Sequence, residues 1–215
     1  MDFEFIKEFT PMYVEAGILT LKLAFWGIFL SLIIGFIIAW AKLFKIGFLR
    51  KIFDAYIELS RNTPLLIQLF FLYYGLPKVG ITMSGYQCAI VGLAFLGGSY
   101  MAESFRLGFE AVKKQQIEAG LSIGLSKNQV ILYIVLPQAL RVSFASISAN
   151  IIFLIKETSM VSIIAVADLV YAAKDIIGLY YMTNEALFML FVAYLIIILP
   201  ISLGLTFVEK RLNHV

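Results

Sequence analysis

Two stretches of this 215-residue chain are long, apolar and free of charged residues. Residues 23–41 form a run of 19 and residues 186–208 a run of 23. A helix rises about 1.5 Å per residue, so either run can cross the ~30 Å hydrocarbon core of a bilayer. The whole chain is 61% hydrophobic and 14% charged, with a mean hydropathy of +0.93, which leaves too little polar surface for a soluble globule. The sequence predicts an integral membrane protein.

Three further apolar segments bring the predicted number of spanning helices to five. The predicted spans are residues 23–41, 56–75, 85–101, 138–155 and 186–208. Basic residues follow the first span (Lys42, Lys45, Arg50, Lys51) and the last (Lys210, Arg211), which predicts a cytoplasmic C-terminus and an external N-terminus. Residues 1–22 are predicted to be an external lead-in. Residues 158–185 contain no uncharged run long enough to span and are predicted to form a shelf at the outer mouth.

A polar island at residues 116–137 separates the third and fourth predicted spans. Ser126 and Gln129 have the spacing of a capping box, which predicts a helix start. Gly124 lies before that start and after a helical pattern containing Glu118. The island is therefore predicted to be two short helices joined by a flexible corner, with the Glu118 carboxylate facing solvent. A plain amphipathic loop on the membrane surface is the alternative interpretation.

The spacing of residues in this island resembles the coupling loop of ABC importer permeases. The pattern of that family is E-A-A, three residues, G, nine residues, I-x-L-P. Here it is met by Glu118, Ala119, Gly120, Gly124, Ile134, Leu136 and Pro137, with Gly120 in place of the second alanine. The resemblance implies that a separate ATPase docks on residues 116–137.

Two further blocks resemble the polar amino-acid branch of these permeases. Residues 61–70, RNTPLLIQLF, are similar to R-G-T-P-L-L-x-Q-L-F, with Asn62 where glycine is usual. Residues 156–164, KETSMVSII, are similar to K-x-[ST]-S-L-V-S-x-I. The resemblance implies an all-α, MetI-like fold of type I importers, in which residues 1–215 form a single transmembrane permease domain. It also implies import of a polar amino acid by alternating access.

The resemblance also implies a set of partners in a bacterial inner or plasma membrane. These are two ABC ATP-binding subunits, an extracytoplasmic solute-binding protein and a second permease subunit, either a copy or a paralogue. The sequence has no G-x-x-x-x-G-K-[ST] motif, so ATP and Mg²⁺ are expected on the partner ATPase and no cofactor is expected in this chain. Membrane lipid is an expected partner, whereas the charge pattern does not favour nucleic acid.

Four ionisable residues are predicted to lie inside spanning helices close to the cytoplasmic face. They are Glu58, Arg61, Glu103 and Arg106. Each costs about 3 kcal/mol to insert, so we expect a partner or a function for each. Helical periodicity allows the four charges to meet at one level, either as a structural clasp or as part of an inner gate.

A second set of polar residues is predicted to line a substrate pathway. It contains Gln68, Ser99, Ser146 and Asn150 at mid-depth, and Glu157, Thr158 and Ser159 at the outer end of the fourth span. Ordinary hydrogen bonding between helices is the alternative role. Glu157, with Asp168 and Asp175, favours a basic amino acid, while glutamine, glutamate and cystine remain open.

Other classes of function are disfavoured by the residues present. The single cysteine, Cys88, lies in an apolar run and the single histidine is His214, so neither a catalytic nucleophile nor a metal site is predicted. A passive pore would need a selectivity filter, and no such motif is visible. An intramembrane transferase would depend on Glu58 and Glu103 as acid and base.

Overall fold

Helices make up almost all of the chain in the computed structural model, which describes residues 1–43 and 47–213. In chain order the helices are α1 (Phe3–Leu43), α2 (Gly47–Arg61), α3 (Leu65–Phe70), α4 (Gly85–Ala111), α5 (Lys114–Ser122), α6 (Lys127–Val130), α7 (Leu136–Glu157), α8 (Leu169–Tyr180) and α9 (Thr183–Asn213). Two π turns, Phe71–Gly75 and Ile131–Val135, continue α3 and α6, and two 3-10 turns follow at Leu76–Val79 and Thr158–Ile164. The predicted all-α class is confirmed. Lys45 and His214 lie outside the described residues.

The apolar helical segments agree with the prediction of five spans. Four are long and apolar enough to cross a membrane: Phe3–Leu43, Gly85–Ala111, Lys127–Ile164 and Thr183–Leu212. A shorter apolar segment, Leu65–Val79, takes the position of the second predicted span. Within the described part of the chain, these five segments correspond one to one with the predicted set.

The first helix is longer than the sequence predicts. Residues 3–22, expected to be a separate lead-in, are continuous with the first span in α1, even across Pro11. The reason is tertiary packing, because Tyr13 and Ala16 are buried in an apolar cluster with α8 and α9. The Tyr13 hydroxyl donates a hydrogen bond to the Ala186 carbonyl at 2.7 Å. The lead-in is thus the N-terminal half of a packed helix.

Small residues let α1 and α4 pack closely. Gly27, Ser31 and Gly35 repeat every four residues along the buried face of α1. A Cβ on Gly27 would lie 2.8 Å from Leu93 Cβ, and one on Gly35 would meet the α4 backbone, 2.7 Å from Ala102 N. Close backbone approach through small residues is the usual way that membrane helices associate. Together α1 and α4 form the centre of the fold.

The segment predicted as an outer shelf contains the 3-10 turn Thr158–Ile164 and then α8, which packs against α1 and α9. Asp168 is fully buried and caps α8, because its Oδ1 accepts a hydrogen bond from the Tyr171 amide at 2.9 Å. Burial raises the pKa of Asp168 to about 6, although hydrogen bonds from the helix start and the charge of Lys174 lower it. Asp168 is therefore a structural cap rather than an exposed surface charge.

Candidate functional site

The helix that was predicted as the second span is interrupted at residues 62–64. α2 ends at Arg61 and α3 begins at Leu65. Pro64 explains the break, because proline cannot donate a helix hydrogen bond and disfavours helical geometry in the preceding residue. Gln68 fastens the break, since its Nε2 donates to the carbonyls of Ser60 and Thr63 at 3.1 Å and to the Thr63 hydroxyl at 3.0 Å.

The end of α2 is anchored to the middle of α4. The Tyr56 hydroxyl donates to the Phe95 carbonyl at 2.6 Å. The Ser60 hydroxyl lies 3.0 Å from the same carbonyl and 3.0 Å from Ser99 Oγ. The break therefore occupies a defined position beside α4.

A cavity of about 460 Å³ lies beside this break. Its size is within the range of about 300–1,000 Å³ that is usual for small-molecule sites. The charged and aromatic residues lining it are Arg61 from α2, Tyr100 from α4, and Phe153 and Glu157 from α7. Interrupted membrane helices often form substrate sites, because their free backbone groups can face a polar cavity.

The two charged residues of the cavity differ in their surroundings. The Arg61 guanidinium carbon lies 5.2 Å from the centre of the Tyr100 ring, which is a cation–π contact. The Tyr100 ring packs in turn on Phe153, with 5.2 Å between the ring centres. Glu157 is half-buried, and among the residues that the structure describes none forms a salt bridge with it. The cavity thus presents a positioned cation and an unpaired carboxylate.

Of the four predicted cluster residues Glu58, Arg61, Glu103 and Arg106, only Glu103 and Arg106 form an ion pair with each other in the described part of the chain. Arg106 pairs within α4, with Nη2 at 2.7 Å from Glu103 Oε2 and Nη1 at 2.6 Å from Glu110 Oε2. The Glu110 carboxylate therefore completes a three-residue cluster on one helix. The clasp and the gate both assumed that all four charges meet, which the described residues do not show.

The position of Arg61 along α2 explains why it does not reach Arg106. α2 begins at Gly47, nine residues before the predicted start of the span at residue 56, so Arg61 lies ~21 Å along the helix. Its partner Tyr100 lies six residues before Arg106, or ~9 Å away along α4. Glu58 is exposed and has no salt bridge within the described ranges 1–43 and 47–213.

Most of the other pathway candidates hold helices together in this structure. Ser104 Oγ lies 2.8 Å from Ser146 Oγ and accepts a hydrogen bond of 2.8 Å from Asn150 Nδ2, which ties α4 to α7. Ser99 Oγ donates within α4 to the Leu96 carbonyl at 2.7 Å. These contacts favour the alternative role of hydrogen bonding between and within helices.

The last three candidates follow one another along the chain but have different surroundings. Thr158 is fully buried and its hydroxyl donates to the Ile155 carbonyl at 2.7 Å. Ser159 is half-buried in the 3-10 turn. Of all the pathway candidates, including Gln68 at the break, only Glu157 lines the cavity.

The polar island forms the predicted pair of helices with a corner between them. α5 ends at Ser122, and the chain turns at Gly124, whose φ of 88° favours glycine. The predicted capping box before α6 is present: the Gln129 amide donates to Ser126 Oγ at 3.4 Å, and the Ser126 amide donates to Gln129 Oε1 at 2.8 Å.

The residues of the coupling pattern divide into an exposed and a packed group. Glu118 and Ala119 are exposed, with Lys114 Nζ at 3.3 Å from Glu118 Oε1. Gly120 is buried, and a Cβ there would lie 2.6 Å from Ile134 Cδ1. The exposed side of α5 is thus free to meet another protein, while its glycine side rests on the chain leading to α7.

The end of the pattern lies at the start of a long helix. Leu136 is half-buried and Pro137 is exposed, and both belong to the first turn of α7. The π turn leads into α7 without a break, so Pro137 is a proline inside a continuous helix that has no amide to donate to the preceding turn.

Sequence reasoning missed the aromatic part of the cavity. Tyr100 and Phe153 were not singled out, because a tyrosine and a phenylalanine in apolar helices carry no signal of their own. The break did carry a signal, since Asn62, Thr63 and Pro64 are typical turn residues inside an otherwise apolar segment.

Comparison with known proteins gives consistent matches. Residues 22–214 match the family model described as binding-protein-dependent transport system inner membrane component. The probable amino-acid ABC transporter permease protein PatM of Vibrio harveyi is 37% identical over 176 residues, which cover 80% of this chain and 79% of PatM. The probable glutamine ABC transporter permease protein GlnM of Bacillus subtilis is 30% identical over 202 residues, 94% of each chain. The L-cystine transport system permease protein TcyB of Bacillus subtilis is 34% identical over 79% of this chain and 73% of TcyB.

Solved structures show the same fold. A chain from the crystal structure of an amino acid ABC transporter with histidines superposes with a TM-score of 0.92 at 31% identity, covering 98% of this chain and 99% of that one. A chain of the inward-facing MetNI methionine ABC transporter superposes with a TM-score of 0.80 at 19% identity, covering 94% of this chain and 96% of that one, which shows likeness of fold alone. The predicted MetI-like fold is confirmed.

Proposed function

Because this chain belongs to the family of binding-protein-dependent transport system inner membrane components, we propose that it carries a polar amino acid through the cavity at the α2–α3 break. The chain is an amino-acid ABC transporter permease, a transport subunit of the inner membrane rather than an enzyme. The observation that carries the proposal is the placement of Arg61 and Glu157 on one cavity of suitable size.

The two charges match the two ends of an amino-acid backbone. The guanidinium of Arg61 can hold a carboxylate through two parallel hydrogen bonds. The carboxylate of Glu157 can accept hydrogen bonds from an ammonium group. Tyr100 restricts Arg61 through the cation–π contact, which reduces the entropy lost when a substrate binds.

The charge balance of the cavity favours a substrate without net charge. Arg61 and Glu157 are of opposite sign, so a zwitterionic amino acid such as glutamine leaves no charge uncompensated. A basic amino acid is the second candidate, and Glu157 favours it. Asp168 no longer supports that candidate, since it is buried as a helix cap.

The exposed coupling loop supports an energy source that lies on other subunits. Two ATP-binding subunits hold ATP and Mg²⁺ and dock on the exposed side of α5, where the ion pair of Glu118 with Lys114 is accessible to a partner. A binding protein delivers the amino acid on the external side, where the N-terminus lies. A second permease subunit closes the pathway, because one chain of five spans cannot surround a solute. ATP binding and hydrolysis then alternate the access of the cavity.

The test is uptake by the complete transporter in proteoliposomes. Labelled glutamine, arginine and glutamate are offered with the cognate binding protein and ATP. We expect glutamine to be taken up fastest, and Arg61→Gln and Glu157→Gln each to lower that uptake at least tenfold. Arg141→Gln is the matched control, because Arg141 is an exposed cation of α7 outside the cavity.

Two results would contradict the proposal. Undiminished uptake in both cavity variants would remove the cavity from the pathway. If the native complex took up none of the amino acids with ATP, the proposal that its substrate is an amino acid would be wrong. Assembly with the ATPase and the melting temperature are measured on each variant, so that misfolding is not mistaken for loss of binding.

A further inference from the structure

Within residues 1–43 and 47–213, two helices contain a π turn that is followed at once by a leucine and a proline. The first is Phe71–Gly75, before Leu76 and Pro77, and the second is Ile131–Val135, before Leu136 and Pro137. In both turns the leucine amide donates five residues back, from Leu76 to the Phe71 carbonyl and from Leu136 to the Ile131 carbonyl.

Proline alone does not produce this geometry. Pro11 in α1 and Pro200 in α9 lie inside helices that are assigned as α throughout. At Ile131–Val135 a side chain supports the widened turn, because Gln138 Nε2 donates to the Ile134 carbonyl at 2.9 Å. The π turn is thus a built feature of this part of the chain, and such turns often mark sites of movement or function.

The second π turn lies between the α4–α7 pair and the coupling loop, and contacts hold it on both sides. On one side α7 is fastened to α4 by the hydrogen bonds of Ser104, Ser146 and Asn150. On the other side α5 rests on the π turn, through the contact between Gly120 and Ile134. The coupling loop therefore touches the α4–α7 pair through this turn.

The other end of the coupling loop is not a regular α-helix either. α4 ends at Ala111, and Val112 and Lys113 have extended backbone geometry before α5 begins. Residues 114–130 are therefore joined to the α4–α7 pair by a short extended link on one side and a π turn on the other. Neither connection is a regular α-helix, so neither joins the loop rigidly to the α4–α7 pair.

We propose that the π turn Ile131–Val135 is the hinge on which the coupling loop rocks against the α4–α7 pair. This inference rests on the proposed ATP-driven transport. Helices bend sharply at π turns, because the regular i→i−4 hydrogen-bond ladder is interrupted there. Rocking lets the loop follow the ATPase while α7, which carries Glu157, moves as one rigid body.

The experiment removes the hinge and leaves the contacts. Pro137→Ala restores an amide donor and removes the ring that opposes α geometry, so it is expected to stiffen the turn. Pro137→Gly also removes the ring but keeps the backbone flexible. Pro200→Ala is the matched control, because it removes a proline from an α9 that has no π turn.

Movement is measured between spin labels at Lys127→Cys in the loop and Ala149→Cys on α7, with Cys88→Ala in every sample. The complete transporter is compared with and without trapped ATP. We expect a distance change in the native protein, in Pro137→Gly and in Pro200→Ala, and its loss in Pro137→Ala. Uptake in Pro137→Ala should fall at least tenfold while the ATPase still copurifies.

The outcomes separate the hinge from the proposed function. Absence of uptake by the native complex would contradict the proposed function itself. With native uptake intact, an unchanged distance shift in Pro137→Ala would overturn the hinge. Equal loss in Pro137→Ala and Pro137→Gly would also overturn it, because Pro137 would then act through a contact and not through flexibility.

Discussion

The contact between Gly120 and Ile134 allows a sharp test of how the coupling loop is held. A Cβ at position 120 would lie 2.6 Å from Ile134 Cδ1 and 3.1 Å from Val130 Cγ2. The Ile134 atom is the far end of a flexible side chain, so one methyl group can be accommodated by a change of rotamer. Gly120→Ala should therefore be close to neutral, since the gain of about 1 kcal/mol in helix propensity offsets the rotamer change.

A side chain larger than alanine cannot be accommodated by a rotamer change of Ile134 alone. Gly120→Leu must displace Ile134 and Val130 together, and overpacking of this kind costs about 1–3 kcal/mol. We expect the α5 amides to lose that much protection, which hydrogen exchange measures as a free energy of local opening. Ile134→Ala in the same chain should restore part of the loss, with a coupling energy of about 0.5–3 kcal/mol.

The functional readout follows the same order. In proteoliposomes Gly120→Ala should retain uptake, Gly120→Leu should lose it, and the double variant should recover part of it. Equal protection of α5 in Gly120→Ala and Gly120→Leu would refute the reasoning. So would a double variant that is no better than Gly120→Leu, because the Ile134 side chain would then not be the obstacle.

Two further predictions concern packing and pH. Gly35→Ala should lower the free energy of unfolding by about 1–3 kcal/mol or more, seen as a lower melting temperature, because its Cβ would meet the α4 backbone. Gly204→Ala is the neutral control, because a Cβ there would have no neighbouring element within 4 Å. The Asp168 pKa is raised from about 3.9 to about 6, so its protonated form stabilises the fold at low pH. Stability should fall by up to about 3 kcal/mol between pH 4 and pH 7, and Asp168→Asn, which retains the cap, should remove that slope in melting curves. If the stability of Asp168→Asn changed with pH as much as that of the native protein, Asp168 would not be the group responsible for the pH dependence.

The interrupted second span shows that turn residues can be recognised in the sequence while the cavity beside them cannot. Asn62, Thr63 and Pro64 are typical of a turn, so the break is visible in the sequence. The cavity beside the break is not visible in the sequence, because its lining includes Tyr100 and Phe153 from two other helices. The prediction of a four-charge cluster failed for the related reason that the position of Arg61 along α2 depends on where α2 begins.

The sequence alone determined the class, the five apolar segments, the capped corner of the coupling loop and the family. These features depend on run length, on neighbouring residues and on fixed spacings, all of which are local along the chain. The tertiary structure alone decided that Arg61 rests on Tyr100 and that Ser146 and Asn150 tie α4 to α7. It also decided that Glu157 lines a cavity without a salt bridge to any described residue. The physical reason is that a helix turns 100° per residue, so its partners across the fold depend on rotation and offset between helices, which only packing sets.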